Sequence, residues 1–331
     1  MSSNSNIDNK VVLVTGGTGS WGKELVNQLL AMDPGPREIR IYSRGEHKQV
    51  EMKDALSSRK VKFIIGDVRD KNILNFAMDG VDTVFHLAAL KHVPVCEDNP
   101  WEAVLTNIYG TQNIIEASIA NNVKVVVDVS TDKAVDPFNL YGVTKACGEK
   151  LIINANKLNR GTRFITIRGG NVIGTNGSVI PLFKKQIKEN NEITLTDPDM
   201  TRFLMNTKEA ISLIFKAMER HEGGEIFVLN MPSATVQTIA DSMIELFGSN
   251  STKVKKIGVR QGEKKHEVLV SKNEAPFTED NSNDYYTIYP SFMGHSILTP
   301  FPLEEFSSQN ARRLSKEDLI SILEKEEWLL K

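Results

Sequence analysis

Cysteine is scarce in this chain: 331 residues hold only Cys96 and Cys147. Two thiols make no disulfide framework, and the usage fits a reduced, cytoplasmic protein. Cys147 lies among helix-like residues and Cys96 follows "VPV", so both read as packing residues rather than nucleophiles. The six histidines show no metal-ligand spacing, and neither cysteine joins one in a recognised pattern, so no metal site is expected. No apolar run approaches the roughly 20 residues of a membrane helix, and nothing resembles a secretory signal. A net charge of −2 argues against nucleic acid or anionic lipid as a partner. The start, "MSSNSNIDNK", is polar and expected to fray. Internal repeats and low-complexity tracts are also lacking.

Against these absences stands an ordinary globular composition, 40% hydrophobic and 25% charged. The first half alternates short β-rich runs with helix-length segments. The runs are "KVVLVT" (10–15), "EIRIYS" (38–43), "VKFIIGD" (61–67), "VDTVFHLAA" (81–89), "VKVVVDVS" (123–130) and "RFITIRG" (163–169). Their continuous apolar character suits strands covered on both faces. Between them lie helix candidates such as "SWGKELVNQLLAMD", where Leu25, Leu29 and Leu30 share a face. The alternation predicts a parallel sheet with right-handed crossovers. Past about residue 175 the pattern changes. Helices are expected over 207–220 and 238–248, strands over 224–230 and 253–260, and a helix capped by Ser315 at the end. "APFTEDNSNDYYTIYPSFMGHS" reads as loop-like.

"VVLVTGGTGSWGKELV" places Gly16, Gly19 and Gly22 after the first strand and at the head of the first helix. One glycine permits a tight turn, one admits a pyrophosphate to the backbone N–H groups, and one lets helix and strand pack closely. The helix N-terminus then faces the phosphates with its partial positive charge. Thr18, Ser20 and Trp21 belong to the same turn. The spacing is G-x-x-G-x-x-G, in the strand–turn–helix context of a dinucleotide site. The predicted fold class is therefore α/β. A Rossmann-like, doubly wound parallel sheet occupies 1–175, and a smaller C-terminal α/β substrate lobe occupies 176–331, with segments returning to the sheet. At the end of the second strand stand Ser43 and Arg44, with Lys48 nearby. A base at this point suits the 2′-phosphate of NADP, so NADP is expected over NAD. Asp67 and Val68 follow the third strand, where they would flank the adenine. Ala88, Ala89 and Lys91 follow the fourth, along the dinucleotide path.

The densest stretch is "VSTDKAVDPFNLYGVTK". Tyr141 and Lys145 are four apart on a predicted helix and share a face. A cationic lysine beside a phenol favours the phenolate, so Tyr141 is expected as general base with its pKa lowered by Lys145. Thr131, at the strand's end, can donate toward the same point. Alone, such a Tyr–Lys pair is a weak signal; its place after a strand and at the head of a helix gives it weight. Asp132 and Lys133 stand side by side just after Thr131, and a plain alcohol dehydrogenase has no use for them.

The glycine pattern, the strand-end Thr and the Tyr-x-x-x-Lys resemble the extended short-chain dehydrogenase/reductase superfamily. Within it, "STDKAVDPFNLYGVTK", "LAALKHVPVCEDNP", "RGGNVIGTNGSVIPLF" and "RQGEKKHE" together resemble the UDP-N-acetylglucosamine 4,6-dehydratases of bacterial surface-sugar synthesis. The resemblance spans roughly residues 8 to 270 and is weak over the last sixty. It implies oxidation at C4 of the sugar with tightly bound NADP, loss of water across C5–C6, and return of the hydrogen to C6, so that the cofactor is regenerated each cycle. By carry-over, Asp132 is the general acid and Lys133 the base. Those roles require a raised Asp pKa and a lowered Lys pKa. Because the two titrate as a pair, the division of roles is open.

The resemblance also implies the grip on UDP-N-acetylglucosamine. Asn171 holds the nucleotide sugar. Ser178 and Val179, in "GSVIPLF", cover the uracil. Arg202 and Arg260 face the diphosphate and Glu263 a ribose hydroxyl, with Lys91 touching both cofactor and substrate. The family commonly has an aromatic residue where this chain has Gly169, which leaves the pocket shape there open. Its members form homo-oligomers. Three outcomes at C5 stay open: inversion, which is mildly favoured, retention, and release of the 5,6-ene. A C4 epimerase or 4-ketoreductase would need Thr131, Tyr141 and Lys145 but not Asp132 and Lys133. A non-catalytic NADP sensor tends to lose the Tyr or the Lys, and this chain keeps both, Tyr141 and Lys145.

Overall fold

The computed structural model describes residues 7–158, 161–174, 178–220, 222–260, 262–282 and 284–326. Most of the polar start, Gly177 of "GSVIPLF", Gln261 of "RQGEKKHE" and the end of the expected C-terminal helix lie outside these residues. The first strands and helices follow one another as the sequence pattern predicts. They are β1 (Val11–Thr15), α1 (Ser20–Ala31), β2 (Glu38–Ser43), α2 (Glu46–Leu56), β3 (Val61–Ile65), α3 (Lys71–Ala77) and β4 (Thr83–His86). Then come α4 (Val93–Asp98), α5 (Pro100–Val104), a π-helical turn (Leu105–Tyr109), α6 (Gly110–Ala120), β5 (Val125–Thr131), α7 (Leu140–Leu158) and β6 (Arg163–Gly169). The remainder holds β7 (Asn171–Val172), α8 (Val179–Asn190), β8 (Glu192–Leu195), β9 (Thr201–Met205), α9 (Thr207–Arg220), β10 (Ile226–Leu229) and β11 (Ser233–Thr235). It closes with α10 (Val236–Phe247), β12 (Lys253–Lys256), β13 (Val268–Val270), β14 (Thr278–Asn281), β15 (Tyr285–Ile288), β16 (Phe306–Ser307) and α11 (Lys316–Glu324).

Among the described residues nine strands form the main sheet, in the order β14-β15-β10-β6-β5-β4-β1-β2-β3. From β3 to β10 every pairing is parallel. The order reverses between β1 and β4, which opens a crevice at their carboxyl ends. The core strands are apolar because both faces are covered. On one face α1 and α9 pack through Leu25, Leu29, Ile211 and Ile214. On the other α3, α6 and α7 pack through Leu74, Ile114 and Ile152. Leu30 is only partly buried at the margin of the first cluster.

The stretch 275–296, expected as loop, contributes two strands. β15 pairs antiparallel with β10, and β14 with β15, so the end of the chain returns to extend the main sheet. These strands were illegible because both are short, and "TEDN" carries no apolar alternation. The rest of the second half packs α8, α10 and α11 around Phe183, Ile239 and Leu319. Ser315 caps α11 in a reciprocal capping box with Asp318.

Candidate active site

The glycine turn after β1 meets the chain leaving β4. Gly16 has φ +66°, and a Cβ there would sit 2.9 Å from the backbone nitrogen of Ala88. A Cβ on Gly22 would lie 2.5 Å from the backbone of Gly17, so α1 can approach the turn only with glycine at this place. Gly19 stands at the N-cap of α1 without a side-chain cap, leaving the helix's first N–H groups available. This cradle, at the switch point of the sheet, fits a dinucleotide pyrophosphate. Ala88 donates its N–H to Thr15 Oγ1 at 3.3 Å, which fixes the far wall.

At the tip of β2, Ser43 is held by Gln49 and by Thr18, whose hydroxyl donates to it at 3.4 Å. Arg44 is exposed and reaches Asp67 only at 3.8 Å. Asp67 is already taken by Arg69 at 2.6 Å. Burial works against the Asp67 carboxylate, but Arg69 and then Arg44 hold its pKa below the usual range. Arg44 is thus loosely tethered beside Ser43, and Lys48 is exposed on the first turn of α2. Val68 packs into the core beneath the sheet, its side chain against Gly110.

The π-helical turn at Leu105–Tyr109 carries Asn107 inward. Its amide accepts from Leu90 N at 2.8 Å and donates to Leu90 O at 2.9 Å and to Thr144 at 3.0 Å. One side chain therefore ties the loop after β4 to α7, a use typical of π turns near functional sites. Asn139 does a parallel task. It caps α7 by accepting from Gly142 N at 2.8 Å and donates to Gly262 O at 2.8 Å, bridging to the segment after β12.

Thr131, Asp132, Lys133 and Tyr141 converge. Thr131 Oγ1 donates to Asp132 Oδ1 at 2.9 Å, and Lys133 Nζ donates to the same oxygen at 2.9 Å. Asp132 is fully buried, and its Oδ2 has no partner among the described residues. Lys133 Nζ also reaches Asn171 Oδ1 at 3.3 Å and Glu267 Oε1 at 3.5 Å. Burial disfavours the charge on Lys133, but Asp132 and Glu267 outweigh it and hold its pKa above the ordinary lysine value. This is opposite to the lowered pKa that a basic Lys133 was expected to show. The main reason is the adjoining Asp132 carboxylate, reinforced by a second carboxylate, Glu267, from beyond residue 260.

Tyr141 is half-buried at the start of α7. Burial pushes its phenol up to about 12, against the lowering effects of the Lys133 charge and a hydrogen bond with Thr131. The expected cation was Lys145. Instead, Lys145 turns beneath β5 and places Nζ 3.3 Å from Asp128 Oδ1. Both groups are buried, and burial raises the Asp128 pKa in spite of Lys145. Tyr141 and Lys145 share α7, yet the nearby cation that favours the phenolate is Lys133.

A cleft opens over this group. Among the predicted residues it is lined by Lys133, Asn171, Arg202, Arg260 and Glu263, and it adds Asn139 and Glu267 with Val93 and Pro94. Arg202 is steadied by the carbonyls of Thr201, at 2.7 Å, and Lys265. Glu263 Oε2 is buried without a partner among the described residues. Lys91 is not in the lining, though it lies near enough to Lys133 to feel its charge. Burial and then the Lys133 charge lower its pKa. Ser178 and Val179 are not in the lining. Ser178 is the N-cap of α8 with a buried, unpartnered hydroxyl among the described residues, and Val179 packs against the cluster around Phe183, Ile239 and Leu319. Over Gly169 lies the indole of Trp21, 3.1 Å from where a Cβ would stand. Trp21 thus supplies the bulk that the family commonly places at position 169. Glu267, Asn139, Asn107 and Asp128 were missed by sequence reasoning. Glu267 stood inside the quoted "RQGEKKHE"; Asp128 was hidden in an apolar strand.

A dinucleotide cradle at the switch point, with a Thr–Tyr–Lys group at the ends of β5 and α7, defines an enzyme of the extended short-chain dehydrogenase/reductase class. The match to the family described as "Polysaccharide biosynthesis protein" covers residues 12–290, and the chain belongs to that family. A relative from Campylobacter jejuni (serotype O:23/36, strain 81-176), named UDP-N-acetylglucosamine 4,6-dehydratase (inverting), is 45% identical over 85% of this chain and 83% of its own. A protein of Rickettsia bellii (strain RML369-C), named UDP-glucose 4-epimerase, is 43% identical over 95% of both chains. The solved structure of Pen from Bacillus thuringiensis is 40% identical, covers 96% of this chain and 98% of that one, and superposes with a TM-score of 0.89. A double mutant of DesIV, a dTDP-glucose 4,6-dehydratase from Streptomyces venezuelae solved with NAD bound, is 25% identical over 76% of this chain and 85% of its own, with a TM-score of 0.69. No helix among the described residues is long and apolar enough to cross a membrane.

Proposed function

We propose that this chain is an NADP-dependent UDP-N-acetylglucosamine 4,6-dehydratase, a hydro-lyase. The observation that carries the reading is the Asp132–Lys133 pair, joined at 2.9 Å and lying between Thr131 and Asn171. Chemistry confined to C4 leaves this pair without work, whereas elimination needs an acid and a base beyond the oxidation group. The name of the Campylobacter relative supports the substrate and mildly favours inversion at C5.

When bound, the nicotinamide would accept the C4 hydrogen with its electron pair and later return both at C6. Tyr141, aligned by Thr131, takes the proton of the 4-hydroxyl. The C4 ketone acidifies the C5–H bond. The Asp132–Lys133 pair then handles the proton removed from C5 and the proton delivered to the 6-oxygen, which leaves as water. Asn171 holds the sugar beside Lys133, and Arg202 and Arg260 meet the diphosphate. Lys145, kept in place by Asp128, stands one helical turn along from Tyr141.

The expected result for Asp132→Asn or Lys133→Ala is loss of dehydration with cofactor binding retained. Full turnover in both variants would refute the assignment. For the cofactor, the exposed and loosely tethered Arg44 beside Ser43 supports NADP, while the solved dehydratase carries NAD. Arg44→Ala should weaken NADP binding by about tenfold or more and leave NAD binding unchanged, as expected for one lost charge-assisted contact. Equal affinities for both cofactors in the unaltered enzyme would contradict this.

A second reading is a nucleotide-sugar 4-epimerase, favoured by the name of the Rickettsia relative. It would use Thr131, Tyr141 and Lys145 and give a product that keeps its 6-hydroxyl.

A further inference from the structure

Lys133 Nζ meets three acceptors: Asp132 Oδ1 at 2.9 Å, Asn171 Oδ1 at 3.3 Å and Glu267 Oε1 at 3.5 Å. An ammonium group has three N–H donors and no lone pair, so this environment fits the protonated form. Glu267 comes from the far end of the chain. It is 3% exposed, and its Oε2 has no partner among the described residues. Its backbone is clamped from both sides by Ser308. Glu267 N donates to Ser308 Oγ at 2.9 Å, and Ser308 N donates to Glu267 O at 2.7 Å. Ser308 is itself fully buried, with Oγ 2.6 Å from Thr201 Oγ1. The adjoining pairing of β13 with β16 holds the two segments together. A buried carboxylate placed this firmly would be costly without its cation.

We propose that Glu267 is a positioning residue of the elimination centre: its carboxylate, presented by the Ser308 clamp, holds the Lys133 ammonium over the cleft and fixes its charge. The proposal rests on the dehydratase reading and deepens it. It also gives the C-terminal segment a task, since Ser308 reaches the catalytic lysine through Glu267. The groups facing Lys133 fall into two sets. Asp132 and Glu267 favour its charge; Arg202 and Lys91 oppose it. The phenol of Tyr141 shares the same space. Removing the Glu267 charge should therefore let Lys133 lose its proton at lower pH.

Competitive acetylation of the NADP-loaded enzyme, traced by peptide mass spectrometry, titrates Lys133 itself. In Glu267→Gln its midpoint should fall by about 1–3 pH units, the range for loss of one close opposite charge. In Glu267→Asp it should stay near the unaltered value. The limb of C5 solvent exchange in D₂O that belongs to Lys133 should move with it. Ser308→Ala, which touches neither cleft nor lysine, should shift the midpoint the same way by less. An unmoved midpoint in a Glu267→Gln enzyme that still binds UDP would overturn the proposal. Should Glu267→Gln fail to fold, an unmoved midpoint in Ser308→Ala would do so. The dehydratase reading fails separately, if the unaltered enzyme makes no 6-deoxy product; an unmoved midpoint with normal product formation sinks Glu267 alone.

Discussion

His86 shows how strongly burial governs single side chains here. It sits at the end of β4 with Nδ1 2.8 Å from Thr15 Oγ1 and Nε2 3.3 Å from Thr111 Oγ1. Burial, then the charge of Lys145, depresses its pKa to about 3 from 6.5. The folded state thus holds a neutral ring while the unfolded state takes up a proton below about pH 6.5. Between these values the unfolded chain binds more protons, so stability falls as pH falls, by up to about 1.4 kcal/mol per pH unit from this residue. Urea titrations over this range should show a shallower slope for His86→Gln than for the unaltered protein. Parallel slopes would contradict the assignment. At this scale the sequence was legible where function is local. Thr131, Asp132, Lys133 and Tyr141 lie within a dozen residues and converge in space. The partners that set their charge states were not legible. Asp128 lies within "VVVDVST", where only the turn of Lys145 beneath the strand reveals it, and Glu267 meets Lys133 through tertiary folding.

Elements position these side chains by close backbone approach. The turn Asp132–Ala134 lies against the first turn of α7, and a Cβ on Gly142 would stand 2.2 Å from Lys133 O. Gly142→Ala must therefore displace the turn that carries Asp132 and Lys133. A misplacement of about 1 Å costs roughly 100-fold in rate, so kcat should fall by about that factor while cofactor binding persists. Unchanged kcat in steady-state assays would show that the turn is less constrained than this contact implies. The β-α alternation predicted β1 to β6: β1, β4, β5 and β6 are buried along most of their length, and β2 and β3, toward the sheet edge, keep enough Val, Ile and Phe to be read. β14 and β15 escaped notice because each is only four residues long and the edge strand β14, "TEDN", has no apolar alternation, although β15 is fully buried. The π turn has no marker in "LTNIY", since its register follows from Asn107 reaching Leu90 and Thr144.

Across the molecule, the two halves are joined by a buried ionic cluster and by the site itself. Arg168, at the end of β6, is fully buried and pairs with Glu149 of α7 at 2.8 Å and with Glu274 at 3.0 Å. It also donates to Leu269 O at 2.7 Å, tying β13 to the sheet beside the site. The cleft draws Lys133 from the turn after β5 and Arg202, Arg260 and Glu267 from later in the chain, so catalysis as proposed needs both halves of the sequence folded together. That claim, the loss of water from UDP-N-acetylglucosamine at this cleft, is tested most directly by a proton NMR time course of the enzyme with that sugar and NADP. The account predicts a new methyl doublet from C6 and, in D₂O, deuterium at C5. A product that keeps its 6-hydroxyl and differs only at C4 would contradict it.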